Sequence, residues 1–130
     1  MKKLDPSERR LTDVEFELMS LLWALGEGTV ADVMKELPDG RDLAYTSVST
    51  ILRILEQKEI LKVRKQGRGH VYIPVLTKSG YEASAVTEVV DRVFEGAPVL
   101  LVKQLLDSGK VSEADLAEMK KILENFGRER

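Results

Sequence analysis

The spacing of apolar and polar positions divides this chain into six helical stretches and one pair of strands. The first helix opens on a capping signal, Thr12 followed three residues later by Glu15, with Leu11 and Phe16 bracketing the cap as a hydrophobic staple. Val14, Leu18, Met19, Leu21, Leu22 and Leu25 then recur at helical spacing, Trp23 widens the stripe, and Gly26 is placed to stop the helix in a left-handed conformation. A second helix is expected from Thr29 to about Leu37, with Asp32 near its positive end, and Pro38, Asp39 and Gly40 break it. A third spans about Ala44 to Lys58. Its Val48, Ile51, Leu52 and Leu55 face a core and leave short polar side chains outside.

The period then changes from helical to alternating. Leu61 to Gln66 sets Leu61 and Val63 on one face and Lys62 and Arg64 on the other. His70 to Val75 alternates likewise, with Val71 and Ile73 expected inward and Pro74 near the end of an edge strand. Gly67, Arg68 and Gly69 connect the two, so the pair reads as a hairpin. Thr77 is positioned to cap a long helix, about Lys78 to Glu95. Gly96 and Pro98 separate this from an apolar helix, Val99 to Ser108, which Gly109 ends. Ser112 and Asp115 start a last helix with the stripe Leu116, Met119, Leu123 and Phe126, closed by Gly127.

These elements predict a mostly α chain with a small β-hairpin wing: a flexible stretch over residues 1–10, a winged helix-turn-helix over 11–76 and three further helices over 77–130. The first three helices and the hairpin supply enough apolar positions for a compact core. The last three bury too little alone. The apolar run VLLVKQLL needs cover that a second copy of the chain would supply, so this part reads as a dimerisation domain. The residues assigned to that contact are Val86, Val89, Val93 and Phe94 on the long helix, Val99, Leu100, Val102, Leu105 and Leu106 on the apolar one, and Leu116, Met119 and Leu123 on the last.

Composition narrows the function classes. A 43% hydrophobic share supports a core, and a net charge of -2 advertises no polyanionic partner for the chain as a whole. The distribution of charge says more. Arg41 to His70 holds seven Lys or Arg against three acids, whereas Tyr81 to the end holds seven against ten. With no cysteine there is no disulfide and no thiolate metal site. The first ten residues lack the apolar segment of a secretory signal, and no apolar run approaches membrane-spanning length, so a cytoplasmic protein is expected. His70, the single histidine, has no ligand-spaced companion, so no metal and no cofactor are expected. Trp23 reads as core and Tyr72 as packing or phosphate-contacting. The pairs Asp39/Asp42 and Glu56/Glu59 stand beside no nucleophile, so no enzyme is expected.

The chemistry that does stand out suits double-stranded DNA. On the third helix Thr46, Ser47, Ser49 and Thr50 are short hydroxyls, which let a helix backbone approach base edges and either hydrogen-bond them or touch a thymine methyl. Tyr45 and Thr46 begin that helix, where backbone N–H groups favour a phosphate. Arg53 lies further along, where phosphate is the expected target. Lys62, Arg64, Lys65 and Arg68 fall within seven residues with no acid among them, a cationic hairpin suited to gripping a sugar-phosphate backbone.

Together, LTDVEFELMSLLW, YTSVSTILRILEQKEIL, the Gly67-Arg68 and Tyr72 pattern, the Phe94-Glu95-Gly96 motif and the final SEADL resemble the penicillinase-repressor family. The resemblance covers about Leu11 to Phe126. It implies homodimeric winged-helix repressors that bind a palindromic operator, with Thr46, Ser47, Ser49, Thr50 and Arg53 at the operator and Arg68 in the wing. In antibiotic-responsive members, a membrane sensor's signal leads to cleavage at an Asn-Phe pair. This chain has Gln104-Leu105 there, which puts induction by cleavage, and hence a sensor or protease partner, in question. Copper-responsive members carry a cysteine cluster that this chain lacks. Relatives often have Lys-Gly where this chain has Lys58-Glu59. Two rival readings are a winged helix used for protein contacts and a small-molecule-sensing repressor.

Overall fold

The computed structural model describes Arg10–Glu129, so the expectation of a flexible residue 1–10 stretch lies, apart from Arg10, outside the described residues. Helix α1 (Asp13–Leu25) starts at the expected capping box. The Thr12 N–H donates to Glu15 Oε1 at 2.9 Å, and the Glu15 N–H donates to Thr12 Oγ1 at 3.2 Å. Gly26 has a φ of 89°, as a helix stop requires. Its ψ of -50° lies outside the left-handed helical region expected there. Leu18, Met19 and Leu22 are fully buried, while Leu25, expected in the same stripe, is 38% exposed.

Helix α2 (Val30–Lys35) is shorter than its pattern predicted. Thr29 and Asp32 form a second capping box, and the helix then tightens: the N–H groups of Glu36 and Leu37 donate to residues three back rather than four, ahead of Pro38. Helix α3 (Tyr45–Gln57) buries Val48, Leu52 and Leu55, with Ile51 half-buried against them. It ends in a paired closure. The Glu59 N–H donates to the Glu56 carbonyl at 2.9 Å and the Ile60 N–H to the Leu55 carbonyl at 3.0 Å, while Ile60 and Leu55 meet in the core. This is the Schellman motif, and it holds Glu59 at a φ of 65°, a conformation that suits glycine.

Strands β1 (Leu61–Gln66) and β2 (Gly69–Pro74) form an antiparallel pair, with Gln66 opposite Gly69 and a two-residue turn at Gly67 and Arg68. The register adds Tyr72 to the buried residues of β2, beside Val71, which is buried as expected. Val63 lies opposite Tyr72 and Leu61 opposite Pro74, so Tyr72 shares the core face with Leu61 and Val63. Val71 and Ile73 pair with Arg64 and Lys62 on the other face. Successive side chains of a strand point to opposite faces, so Tyr72 fills the main core cluster, while Val71 is buried on the opposite face and Ile73 is half-buried there. Gly28 also bridges Tyr72 from the far side of β2, so the strand is not a free edge there.

The chain divides into two compact units, one ending at Val86 and the other beginning at Thr87. The first therefore extends ten residues past the boundary at residue 76 that the sequence pattern implied, into helix α4 (Lys78–Val93). Tyr81 is the reason. Its ring centroid lies 5.7 Å from that of Phe16 and 6.0 Å from that of Trp23, and its hydroxyl accepts the Leu11 N–H at 3.3 Å. Thr77 caps α4 by accepting the Gly80 N–H at 3.0 Å. In the second unit, α5 (Pro98–Asp107) has Pro98 in its first turn and α6 (Glu113–Glu129) opens on the Ser112/Asp115 pair. Gly127 does not close α6, which continues to Glu129. A glycine costs a helix interior only about 1 kcal/mol, and without a turn to a positive φ it does not stop one.

Candidate nucleic-acid interface

With Val48, Leu52 and Leu55 fixed in the core, helical geometry decides what α3 shows outside. The stripe opposite that core face is Thr46, Thr50, Arg53 and Gln57, all exposed. Ser47 is exposed beside it, and Ser49, on the other flank, is half-buried. Tyr45, at the helix start, is 57% exposed, and its first-turn N–H groups have no side-chain cap, since Ala44 occupies the N-cap position. Gln57 and Ile54, the latter 39% exposed, were not singled out from the sequence. The 4-3-4 spacing of Thr46, Thr50, Arg53 and Gln57 carried that signal for Gln57.

The hairpin follows α3 by the tight turn at Glu59. Its buried part stops at Val63 on β1 and resumes at Val71 on β2, so Lys65, Gln66, Gly67, Arg68, Gly69 and His70 form an exposed tip. Tyr72 is buried, and burial pushes its phenol pKa up. Its role is packing, and it is withdrawn from any phosphate.

The seven bases counted between Arg41 and His70 separate into two groups. Three are tied to carboxylates on or just after α1. Arg41 Nε lies 2.9 Å from Glu17 Oε2, Lys58 Nζ 3.0 Å from Glu15 Oε2, and Arg64 donates to Glu27 through Nη1 at 3.3 Å and Nη2 at 2.5 Å. The hydrogen bond from Arg64 holds the Glu27 carboxyl below its ordinary pKa, and that from Arg41 does the same for Glu17. Among the described residues Arg53, Lys62, Lys65 and Arg68 make no ion pair. The uncompensated positive charge thus lies on the outward stripe of α3 and on the hairpin, beside exposed hydroxyls. Such a surface attracts a polyanion and presents hydrogen-bonding groups of the size that major-groove base edges accept.

The second unit presents a different surface. No residue of α5 is buried, and Val99 is 73% exposed, Leu100 41%, Val102 50%, Leu105 41% and Leu106 47%. On α6, Leu116, Leu123 and Phe126 are exposed together with Ile122, which the sequence stripe omitted, while Met119 is half-buried. On α4, Val89 and Val93 of this unit are also exposed, as is Val86 at the end of the first unit, and Phe94, just past the helix, is half-buried. Val90, one position from the expected stripe, is the buried residue of that helix.

Comparison with known proteins agrees with this architecture. A family model described as penicillinase repressor matches residues 11–125. The penicillinase repressor of Bacillus licheniformis is 27% identical over 124 residues, covering 95% of this chain and 94% of that protein. The transcriptional regulator BlaI of Mycobacterium tuberculosis is 42% identical over 67 residues, 51% of this chain and 49% of that one. The solution structure of the DNA-binding domain of the repressor BlaI superposes with a TM-score of 0.51 at 31% identity, over 62% of this chain and 94% of that domain.

Proposed function

Because this chain belongs to the penicillinase-repressor family, we propose that it works as a homodimer on a palindromic operator, with one α3 and one hairpin engaging each half-site. Its activity is that of a DNA-binding transcriptional repressor, not of an enzyme. The division of labour proposed is that Thr46, Ser47, Ser49 and Thr50 meet base edges, the α3 start at Tyr45 and the Arg53 guanidinium meet phosphate, and Lys62, Arg64, Lys65 and Arg68 hold the flanking backbone by way of the hairpin. The observation that supports this reading is the sorting of charge: Arg41, Lys58 and Arg64 are paired with acids, while Arg53, Lys62, Lys65 and Arg68, on the outward stripe of α3 and on the hairpin, are not.

A second copy accounts for the second unit. Its exposed aliphatic side chains on α5 and α6 form apolar surface of the kind that soluble chains cover. Two joined copies would place two α3 helices on half-sites one helical turn of DNA, about 10 base pairs, or a multiple of it apart. Repression follows from occupying a promoter, and release from separating the two copies, since each alone makes half the contacts. The test is genomic footprinting of the bound sites combined with sedimentation of the purified chain. Palindromic footprints and a dimer are expected; a monomer that grips a full operator as tightly as the dimer does would reject the reading.

A further inference from the structure

Arg64 differs from the other cations of the hairpin. It lies on β1 directly opposite Val71, and its guanidinium is engaged by Glu27 through both terminal nitrogens and by Gln66 Oε1 at 3.4 Å. Glu27 sits in the α1–α2 turn, next to Gly28. Gly28 exchanges two backbone hydrogen bonds with Tyr72: its N–H donates to the Tyr72 carbonyl at 3.1 Å, and the Tyr72 N–H donates back at 2.7 Å. The crossing is close: a Cβ at Gly28 would stand 3.1 Å from Asp32 Cβ, tight enough that the neighbour would have to give by a few tenths of an ångström, and 3.5 Å from Leu25 Cδ1. The base of the hairpin is therefore stitched to the α1–α2 turn at two points, one of backbone and one of charge.

From this we infer that Arg64 is a positioning residue, not a phosphate contact: its pairing with Glu27 fixes the angle at which the hairpin leaves the core, so that Lys65 and Arg68 at the tip reach the DNA backbone. The inference rests on the DNA-binding reading above and narrows its assignment of the four hairpin cations. Two physical arguments support it. A guanidinium already forked onto a carboxylate has spent the geometry it would use on a phosphate. Leaving that carboxylate to reach DNA would also expose an anion beside the hairpin, offsetting the gain. An exposed ion pair adds little to stability, so its consequence is expected in the pose of the hairpin and not in melting.

A charge swap separates positioning from contact. The probe is a fluorescently labelled duplex of random sequence, since phosphate contacts carry no sequence information, titrated with the full chain over a salt series. Arg64→Glu is expected to weaken binding by about tenfold or more, and Glu27→Arg with Arg64→Glu together to restore most of the loss and the original salt slope. Glu27→Ala alone is expected to weaken binding, although it removes a negative charge from a DNA-binding surface. Arg68→Ala is expected to flatten the salt slope by about 0.9, one phosphate, with no rescue from any change at Glu27. A double variant as weak as Arg64→Glu, or tighter binding by Glu27→Ala, would overturn the inference while leaving the DNA-binding reading intact. Salt-insensitive or absent binding by the unmodified chain would overturn both.

Discussion

Lys58, just past the last turn of α3, reaches back to Glu15, in the first turn of α1, and its Nζ lies 3.0 Å from a carboxylate that is itself buried. Forty-three positions separate the two residues. Glu15 thus serves twice, closing the capping box of α1 through Oε1 and anchoring the end of α3 through Oε2. The outward stripe of α3 is held at a fixed angle to the rest of the core by this pair and by Leu52 and Leu55.

A pH dependence follows. Burial pushes the Glu15 carboxyl up, but the Thr12 N–H and Lys58 together outweigh it, and the pKa lies below its ordinary value of 4.5. A carboxyl with a depressed folded-state pKa adds stability above its unfolded pKa and loses it as pH falls through the folded value. The stability of the chain should therefore drop below about pH 4.5, and in Glu15→Gln that drop should be smaller. Lys58→Ala should cost about 1–2 kcal/mol near neutral pH, less than for a fully buried pair because the lysine is partly solvated. Urea melts at several pH values check both outcomes; equal acid sensitivity of Glu15→Gln and the unmodified chain would refute the role.

Glu59 occupies a glycine position. An L-residue in the left-handed region costs about 1–2 kcal/mol, and a glycine returns part of that as unfolded-state entropy. Glu59→Gly should accordingly stabilise the chain by up to about 1 kcal/mol, read as a higher urea midpoint with an unchanged slope. A loss of stability would mean that the Glu59 side chain makes a compensating interaction.

Groove and backbone contacts are separable by their sensitivity to sequence. Thr50→Ala should cost about 1–3 kcal/mol on operator DNA and much less on random duplex. Arg68→Ala should weaken both, with a salt slope shallower by about 1. Parallel titrations on the footprinted site and on a scrambled duplex decide it; an equal loss on both for Thr50→Ala would remove that residue from the groove.

The exposed aliphatic residues of the second unit predict the oligomeric state. Val99→Asp and Leu123→Asp alter side chains that are 73% and 70% exposed in the single chain, so each should leave the fold of a monomer intact while moving the sedimentation coefficient from dimer towards monomer. Operator affinity should fall steeply in the same variants, because two half-sites would no longer be bound as one unit. An unchanged sedimentation coefficient in both would place the contact between copies elsewhere.

Local signals in the sequence were enough for the order and type of every element and for the face that α3 presents. The capping boxes at Thr12 and Thr29 and the 3.6 period of Val48, Leu52 and Leu55 act over a few residues and depend on no distant partner. The basic hairpin was legible for the same reason. Contacts between distant parts of the chain decided the rest. Which bases stay uncompensated depends on Glu15, Glu17 and Glu27, each more than twenty positions from its partner. Which residue of β2 joins the main core was set by Tyr72 pairing with Val63 on one side and Gly28 on the other, while Val71 is buried on the opposite face. The length of the first unit was set by Tyr81 packing on Phe16 and Trp23. Periodicity reports which side of an element is apolar, but a partner's identity is fixed only when the folded chain brings the two together.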